Sequence, residues 1–179
     1  MNNEEHKNSK FLSYILRHNP DAIGIELDEN GWVEIDELCR LAKSHNKHLT
    51  REMISEVVRN NDKKRFTLSD DKRKIRAAQG HSINIDLGLK PSAPPDMLYH
   101  GTASKNLNAI AQLGLLPMSR DMVHLSSDEE TALKVGSRHG KPIIIRVAAA
   151  QMAQDGHEFF RAENGVWLAK QVEAKYLRF

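Results

Sequence analysis

The chain contains 179 residues, with 26 lysines and arginines against 24 aspartates and glutamates, so its formal net charge is +2. Hydrophobic residues make up 40% and charged residues 28%, which is typical of a globular protein and excludes a disordered tail. The single cysteine, Cys39, excludes an internal disulfide and a cysteine-based zinc site. The first residues are polar and no apolar run could span a bilayer, so we expect a cytoplasmic protein.

The first half of the chain, residues 1–83, predicts a small α+β unit. Three amphipathic helices are expected, each opened by a side chain that can accept the free amide hydrogens of a helix start. The predicted capping residues are Ser9, Asp36 and Thr50. The first helix should end before Asn19-Pro20, because proline cannot continue it. A short strand is predicted at residues 23–27 and a turn at residues 28–31.

Two alternating segments, residues 65–68 and 74–77, predict a hairpin around the turn at residues 69–71. Helices followed by a hairpin are typical of a winged-helix arrangement. The side chains expected to face the core are Phe66, Leu68, Ile75 and Ala77. Those expected to face outward as a basic stripe are Arg65, Thr67, Lys74 and Arg76. Residues 63–76 hold seven basic and two acidic side chains, a local excess that the net charge hides.

A proline-containing segment at residues 84–95 is the predicted linker, since proline stiffens a connection and resists both helix and central strand. Apolar runs predict strands at 97–100, 122–125, 143–148 and 176–179. A helix is expected at residues 105–113, and a second one from a capping box at Ser127 to Gly136. Asn164-Gly165 predicts another hairpin.

Several common catalytic motifs are absent, among them the P-loop, the dinucleotide-binding glycine motif and the zinc-protease helix. Four segments instead place polar side chains at the ends of apolar elements. They are residues 13–18, 75–82, 98–102, and 123–126 together with 136–140. Arginine forks and histidines at such places suit a phosphate or a ribose. Each segment also has a plain structural interpretation, as a helix cap, a solvated wing or a core histidine. The histidines lack metal-ligand spacing, so we expect no metal site.

Taken in order, these segments resemble the NAD-dependent RNA 2′-phosphotransferases, enzymes that remove the splice-junction 2′-phosphate from tRNA. The resemblance runs from Ser9 to the end of the chain, and the full series is more specific than any one motif. Its segments are SKFLSYILRHNP (9–20), DKKRFTLSDDKRKIRAAQGHS (62–82), LYHGT (98–102), VHLS (123–126), VGSRHGKP (135–142) and AENGVWL (162–168).

The resemblance implies an α+β protein of two lobes. The first, residues 1–83, would be a winged-helix lobe that binds RNA, and the second, residues 96–179, an ADP-ribosyltransferase-like lobe that binds NAD as co-substrate. Protein-modifying transferases usually carry a catalytic glutamate where this chain presents Val166, with Glu163 close by in sequence. The absence of this glutamate argues against protein ADP-ribosylation. In this respect the chain resembles the RNA 2′-phosphotransferases.

The resemblance also implies a role for individual residues. The catalytic set would be Arg17, His18, Arg76 and Arg138, with Arg73 as the neighbouring alternative for the third member. The NAD-binding set would be His100, Gly101, Thr102, His124, Leu125 and Ser126. The RNA-binding set would be Lys63, Lys64, Arg65, Lys74, Gln79, His81 and Ser82. Cys39 lies on an apolar helix face, so we expect it in the core.

The implied partners are NAD and an RNA that bears an internal 2′-phosphate. The protein itself would be a monomer that does not contact a membrane. The reaction would release nicotinamide and ADP-ribose 1″,2″-cyclic phosphate and leave a 2′-hydroxyl on the RNA. Two alternatives stay open. One is an ADP-ribosyltransferase that modifies a terminal phosphate of a nucleic acid or a protein. The other is a non-catalytic winged-helix protein that binds nucleic acid.

Overall fold

The computed structural model describes residues 1–179, and these divide into two compact units, Met1–Gly88 and Leu89–Phe179. Both units combine helices with small antiparallel sheets, so the predicted α+β class is confirmed. The division falls inside the segment predicted to be a linker, residues 84–95. No helix has the length and apolar character needed to cross a bilayer.

The first unit is built on three helices and one three-stranded sheet. Its elements are α1 (Asn3–Arg17), β1 (Val33–Glu34), α2 (Ile35–Ser44), α3 (Arg51–Asn60), β2 (Phe66–Leu68) and β3 (Lys74–Ala77). The strand order is β1-β3-β2, with Thr67 opposite Arg76 in the predicted hairpin. The apolar faces of the helices pack on this sheet around Leu12, Ile54 and Ile75, which are fully buried.

The helix starts follow the prediction at α3 only, where the Thr50 hydroxyl accepts a bond from the Met53 amide. Helix α1 begins six residues before Ser9, with Asn2 as its cap, and Ser9 lies buried inside the helix. Helix α2 begins directly after β1 with Glu34 at the capping position, so Asp36 lies in its first turn. Both predicted caps are therefore wrong, because periodicity marks the buried face of a helix and not its solvated first turn.

The strand predicted at residues 23–27 is also wrong. A short 3₁₀ turn, Pro20–Ala22, follows α1, and the chain then continues without a strand partner. Gly24 adopts a φ of +73°, a left-handed conformation that interrupts a strand. Ile23 and Ile25 are nevertheless buried in the core of the unit. The apolar side chains of this segment therefore anchor an irregular stretch of chain to the core and do not form a strand.

The second unit consists of two antiparallel sheets with three helices. Its strands are β4 (Leu98–Ala103), β5 (Val123–Leu125), β6 (Pro142–Val147), β7 (Phe160–Arg161), β8 (Trp167–Ala169) and β9 (Leu177–Arg178). Its helices are α4 (Leu107–Leu113), α5 (Glu129–Gly136) and α6 (Ala149–Gln154). The strand orders are β4-β6-β9 and β5-β8-β7. The predicted strands, the helix ending at Gly114 and the Asn164-Gly165 hairpin are confirmed.

Two details of the second unit differ from the prediction. Helix α5 is capped by Asp128, whose carboxylate accepts from the Thr131 amide at 2.7 Å, and not by Ser127. Helix α6 was not predicted, since it is short, follows β6 after one residue and has no side-chain cap. Reciprocal backbone bonds between Tyr99 and Ser126, at 2.9 and 2.7 Å, connect β4 to the end of β5. This bridge places the two polar strand ends side by side.

Candidate active-site residues in each unit

The end of α1 carries the first predicted catalytic pair, Arg17 and His18. His18 is the residue that ends the helix, and its Nδ1 lies 2.8 Å from the Ser82 hydroxyl. The Ser82 amide donates to the Arg17 carbonyl at 2.9 Å. These bonds attach the loop after β3 to the helix end, so two segments more than sixty residues apart in sequence form one polar surface.

Arg76 occupies the strand β3 but does not belong to a solvated stripe, so that part of the prediction is wrong. Only 7% of the residue is exposed, and its guanidinium lies 4.5 Å from the centre of the Trp32 ring. Its Nη1 donates to the carbonyls of Asn30 and Leu87, at 3.3 and 3.2 Å. The segment before β1 therefore covers this face of the sheet and orients the guanidinium. Arg73, the alternative, is exposed in the hairpin turn.

His81 is buried beside these basic groups, with 3% of its surface exposed. Burial first, and then the charges of Arg17, Arg76 and His18, together lower its pKa to about 4. His81 is therefore neutral at pH 7. The guanidinium of Arg17 lies beside Gly80, where an added Cβ would be in ordinary van der Waals contact with Cζ at 3.6 Å. Arginines, histidines and a glycine loop thus converge within the first unit.

Two buried polar atoms of the same loop have no hydrogen-bond partner in the protein. They are the Gln79 Oε1 and the His81 Nε2. Buried polar atoms are nearly always satisfied, and the exceptions mark places where a ligand or water completes the bonding. The contact of Gln79 and His81 with RNA stays a prediction.

A groove of about 620 Å³ runs along α1 in the first unit and ends at Arg17 and His18. Lys63 and Arg65, predicted to bind RNA, line its opposite wall, whereas the predicted Lys64 and Lys74 are not among its lining residues. Sequence reasoning missed two polar lining residues of α1, His6 and Lys10, whereas Ser13 and Tyr14 belong to the segment 13–18 that it singled out. The spacing of three to four residues in the series His6, Lys10, Ser13 and Arg17 is the signal that could have identified the missed pair.

In the second unit, His100 and His124 lie together at the bridged strand ends. The His100 Nδ1 donates to the His124 carbonyl oxygen at 3.0 Å, which leaves its Nε2 as a hydrogen-bond acceptor in the neutral ring. Burial lowers the pKa of His100, and the nearby charge of Arg120 lowers it too, whereas the hydrogen bond to the His124 carbonyl raises it; the net pKa is lowered. His100 is consequently neutral at pH 7.

Arg120 is a residue that sequence reasoning missed. Its Nη1 donates to the His124 Nδ1 at 2.6 Å. Because a guanidinium can only donate, the Nδ1 must be unprotonated, and the neutral His124 ring then carries its proton on Nε2. The loss of hydration and the nearby charge of Arg138 both lower the pKa of Arg120. The predicted Arg138 therefore lies near Arg120, in the 3₁₀ turn Ser137–His139 that follows α5.

The other predicted NAD-binding residues have packing roles in this structure. A Cβ on Gly101 would lie 1.6 Å from the Ala132 carbonyl oxygen, so this glycine lets α5 pack directly on β4. Thr102 is buried and its hydroxyl accepts a bond from the Asn106 side-chain Nδ2 at 3.0 Å. Leu125 belongs to the core, and Ser126 is half-buried at the strand bridge. Their contact with NAD stays a prediction.

Cys39 packs against the hydrophobic core of the first unit, and burial raises the pKa of its thiol. A protonated thiol is a poor nucleophile. Cys39 is only half-buried, so the predicted core position is confirmed in part.

Comparison with known proteins gives a consistent result. Residues 3–171 match the model of the family described as RNA 2'-phosphotransferase, Tpt1 / KptA family. The chain is 55% identical over 168 residues to "Probable RNA 2'-phosphotransferase" of Acaryochloris marina, covering 94% of this chain and 93% of that protein. It is 55% identical over 172 residues to the protein of the same description in Rhodopirellula baltica, covering 96% and 94%. The corresponding protein of Burkholderia pseudomallei is 50% identical over 171 residues, covering 96% and 93%.

Proposed function

The chain belongs to the RNA 2'-phosphotransferase, Tpt1 / KptA family, and on that basis we propose that it removes an internal RNA 2′-phosphate by transferring it to NAD. The observation that carries the proposal is the convergence of Arg17, His18 and Arg76 around the neutral His81. Two guanidiniums near one point suit a dianionic phosphate monoester, which they can bind with charge-assisted hydrogen bonds.

The proposed reaction has two steps. In the first, an oxygen of the RNA 2′-phosphate forms a bond to the anomeric carbon of the nicotinamide ribose, and the bond to nicotinamide breaks. In the second, the 2″-hydroxyl of that ribose attacks the phosphorus and loses its proton, and the RNA 2′-oxygen leaves and takes up a proton. The products are RNA with a 2′-hydroxyl, nicotinamide and ADP-ribose 1″,2″-cyclic phosphate. No metal or redox agent is needed for the balance.

In the first unit, Arg17 and Arg76 hold the 2′-phosphate and His18 supplies the proton to the leaving 2′-oxygen. The nucleophile of the first step is already an anion, so that step needs orientation more than a base. The bonds from Arg76 to two backbone carbonyls and its stacking on Trp32 support the orienting role. Neutral His81 adds no third positive charge between the arginines, so it can pack against both.

In the second unit, His100 and His124 bind the NAD ribose, and Arg138 stabilises the negative charge that the second step gathers on the phosphate oxygens. The donor set fits a ribose diol. His100 presents an acceptor nitrogen and His124 a donor N–H, and a hydroxyl group can satisfy both. Arg120 acts through His124 by fixing its tautomer, so we assign it as a positioning residue.

The finer description of the fold belongs to the same proposal. We assign the first unit as a winged-helix lobe for RNA and the second as an ADP-ribosyltransferase-like lobe for NAD. The order α1-β1-α2-α3-β2-β3 in the first unit, with the hairpin β2-β3 after the last helix, supports the first assignment. Lys64 and Lys74 would then contact the RNA backbone by charge alone.

The proposal is tested with RNA carrying a radiolabelled internal 2′-phosphate, incubated with NAD under single-turnover conditions. Arg17→Ala and Arg76→Ala should each slow label transfer by roughly 100-fold or more, the scale of losing one fixed charge at a developing anion. Arg59→Ala is the matched control, because Arg59 is an exposed arginine in the last turn of α3. Equal rates in all three variants would refute the assignment of the site. Persistent ADP-ribosylated RNA in the unaltered protein would favour a simple ADP-ribosyltransferase.

A further inference from the structure

The groove along α1 extends well beyond the pair Arg17 and His18. His6 and Arg17 are eleven residues apart on one face of the helix, so the groove follows the helix axis for about 16 Å. A single phosphate group would occupy only its end. The remaining length lies beside Lys10, Ser13 and Tyr14 and is not used by the reaction proposed above.

The groove carries positive charge on both walls. Lys10 and Arg17 project from α1, and Lys63 and Arg65 lie on the facing segment, whereas Asp62 is the single carboxylate among the lining residues. Opposed rows of cations attract an extended polyanion and follow its backbone. A compact anion such as inorganic phosphate would meet only part of this charge.

The facing segment is held against α1 by a buried hydrogen bond, so the groove exists before any ligand arrives. The Asn61 side-chain amide donates to the Ser9 hydroxyl at 3.2 Å, and both residues are 4% exposed. The Asn61 side-chain oxygen in turn accepts from the Lys63 amide at 3.1 Å. One asparagine therefore fixes the distance between the walls and the position of Lys63. Preorganisation of this kind reduces the entropic cost of binding.

Tyr14 adds an aromatic surface to the lining of the groove. It is 49% exposed although it is a large ring, and its hydroxyl accepts a bond from the Asn19 side-chain amide at 2.8 Å. This bond restrains the ring while leaving much of it open to solvent. Aromatic rings between cationic side chains are the usual platform on which unpaired RNA bases stack.

We propose that this groove binds the single-stranded RNA that flanks the reactive 2′-phosphate, with the backbone between Lys10 and Lys63 and a base stacked on Tyr14. The inference rests on the proposed function for the identity of the polymer. It adds a binding subsite whose affinity comes from the neighbouring nucleotides and not from the phosphate that reacts. An RNA chain then binds more tightly than the isolated 2′-phosphorylated nucleotide.

The test is the affinity of a fluorescein-labelled, single-stranded oligoadenylate that lacks a 2′-phosphate, measured by anisotropy without NAD. Tyr14→Ala should weaken binding roughly 5- to 10-fold, the low end of the range for a stacked base. Lys10→Ala should weaken it by a smaller factor and reduce the slope of log affinity against log salt by about 1. Tyr14→Phe should keep most of the affinity, because it retains the ring.

Lys7→Ala is the matched control, since Lys7 is an exposed lysine of α1 that does not line the groove. Equal effects of Lys7→Ala and Lys10→Ala would overturn the proposal, as would unchanged affinity in Tyr14→Ala. Displacement of the RNA by an oligoglutamate of equal charge at equal concentration would also contradict it, because a peptide offers no bases to stack. The measurement requires neither the 2′-phosphate nor NAD, so it decides on the groove even if phosphate transfer fails.

Discussion

Replacing His81 by glutamine should change how the stability of the first unit depends on pH. The pKa of His81 is about 4 in the folded protein, against 6.5 for an ordinary histidine. Between these values the unfolded chain binds a proton that the folded chain does not, so acid favours unfolding. The stabilisation is complete above pH 6.5, is lost as the pH falls toward about 4, and changes no further below that.

The size of the effect follows from the shift. A difference of about 2.5 units in pKa corresponds to about 3 kcal/mol, of which about 2 kcal/mol is already lost at pH 5. The cause is structural, because His81 is almost completely buried and lies near the charges of Arg17, Arg76 and His18. His81→Gln cannot titrate, so its unfolding free energy should decline less between pH 7 and pH 5 than that of the unaltered protein.

Urea unfolding at several pH values provides the assay. Trp32 lies in the first unit and Trp167 in the second, so a Trp167→Phe background makes fluorescence report on the unit that contains His81. His48→Gln serves as the control, since His48 is exposed. If the free energies of His81→Gln and the unaltered protein fall in parallel from pH 7 to pH 5, the explanation by a buried neutral histidine is refuted.

Three further predictions concern the second unit. Arg138→Ala should slow the second step more than the first, so that ADP-ribosylated RNA accumulates and is detected by gel shift of labelled RNA. Equal slowing of both steps would exclude a specific role of Arg138 in the second step. Stability of the second unit is followed by urea unfolding in a Trp32→Phe background, in which Trp167 is the reporter. Gly101→Ala should reduce the free energy of unfolding by about 3 kcal/mol, because its Cβ meets the Ala132 carbonyl, and an unchanged urea midpoint would contradict this. Asp128→Ala should cost about 1 kcal/mol by the same assay and Ser127→Ala almost nothing, and equal losses would show that the cap is misassigned.

Much of the secondary structure could be predicted because it depends on local patterns. The end of α1 before Pro20, the hairpin at Asn164-Gly165 and the stop of α4 at Gly114 each follow from the conformational limits of one or two residues. The start of α1 could not be located in this way, because residues 3–8 contain no apolar side chain. Helix α6 is too short to show a period.

In the candidate site, too, local patterns identified some residues, whereas the importance of others depends on contacts between distant parts of the chain. Arg17, His18 and the loop at residues 79–82 were identified from residue types and from the family pattern. The burial of Arg76 could not be foreseen, since Trp32 and Asn30, which cover and bind it, lie more than forty residues earlier in the chain. Arg120 was missed for a related reason: its significance depends on contact with His124 and not on any motif.

The central claim is that the 2′-phosphate leaves RNA by transfer to NAD, and one measurement tests it directly. RNA with a radiolabelled internal 2′-phosphate is incubated with the unaltered protein, with and without NAD, and both the label and free nicotinamide are quantified. The proposed reaction predicts that label appears only when NAD is present, in ADP-ribose 1″,2″-cyclic phosphate, with one nicotinamide released for each phosphate removed. Release of the label as inorganic phosphate without NAD, or nicotinamide release while the label remains on RNA, would contradict it.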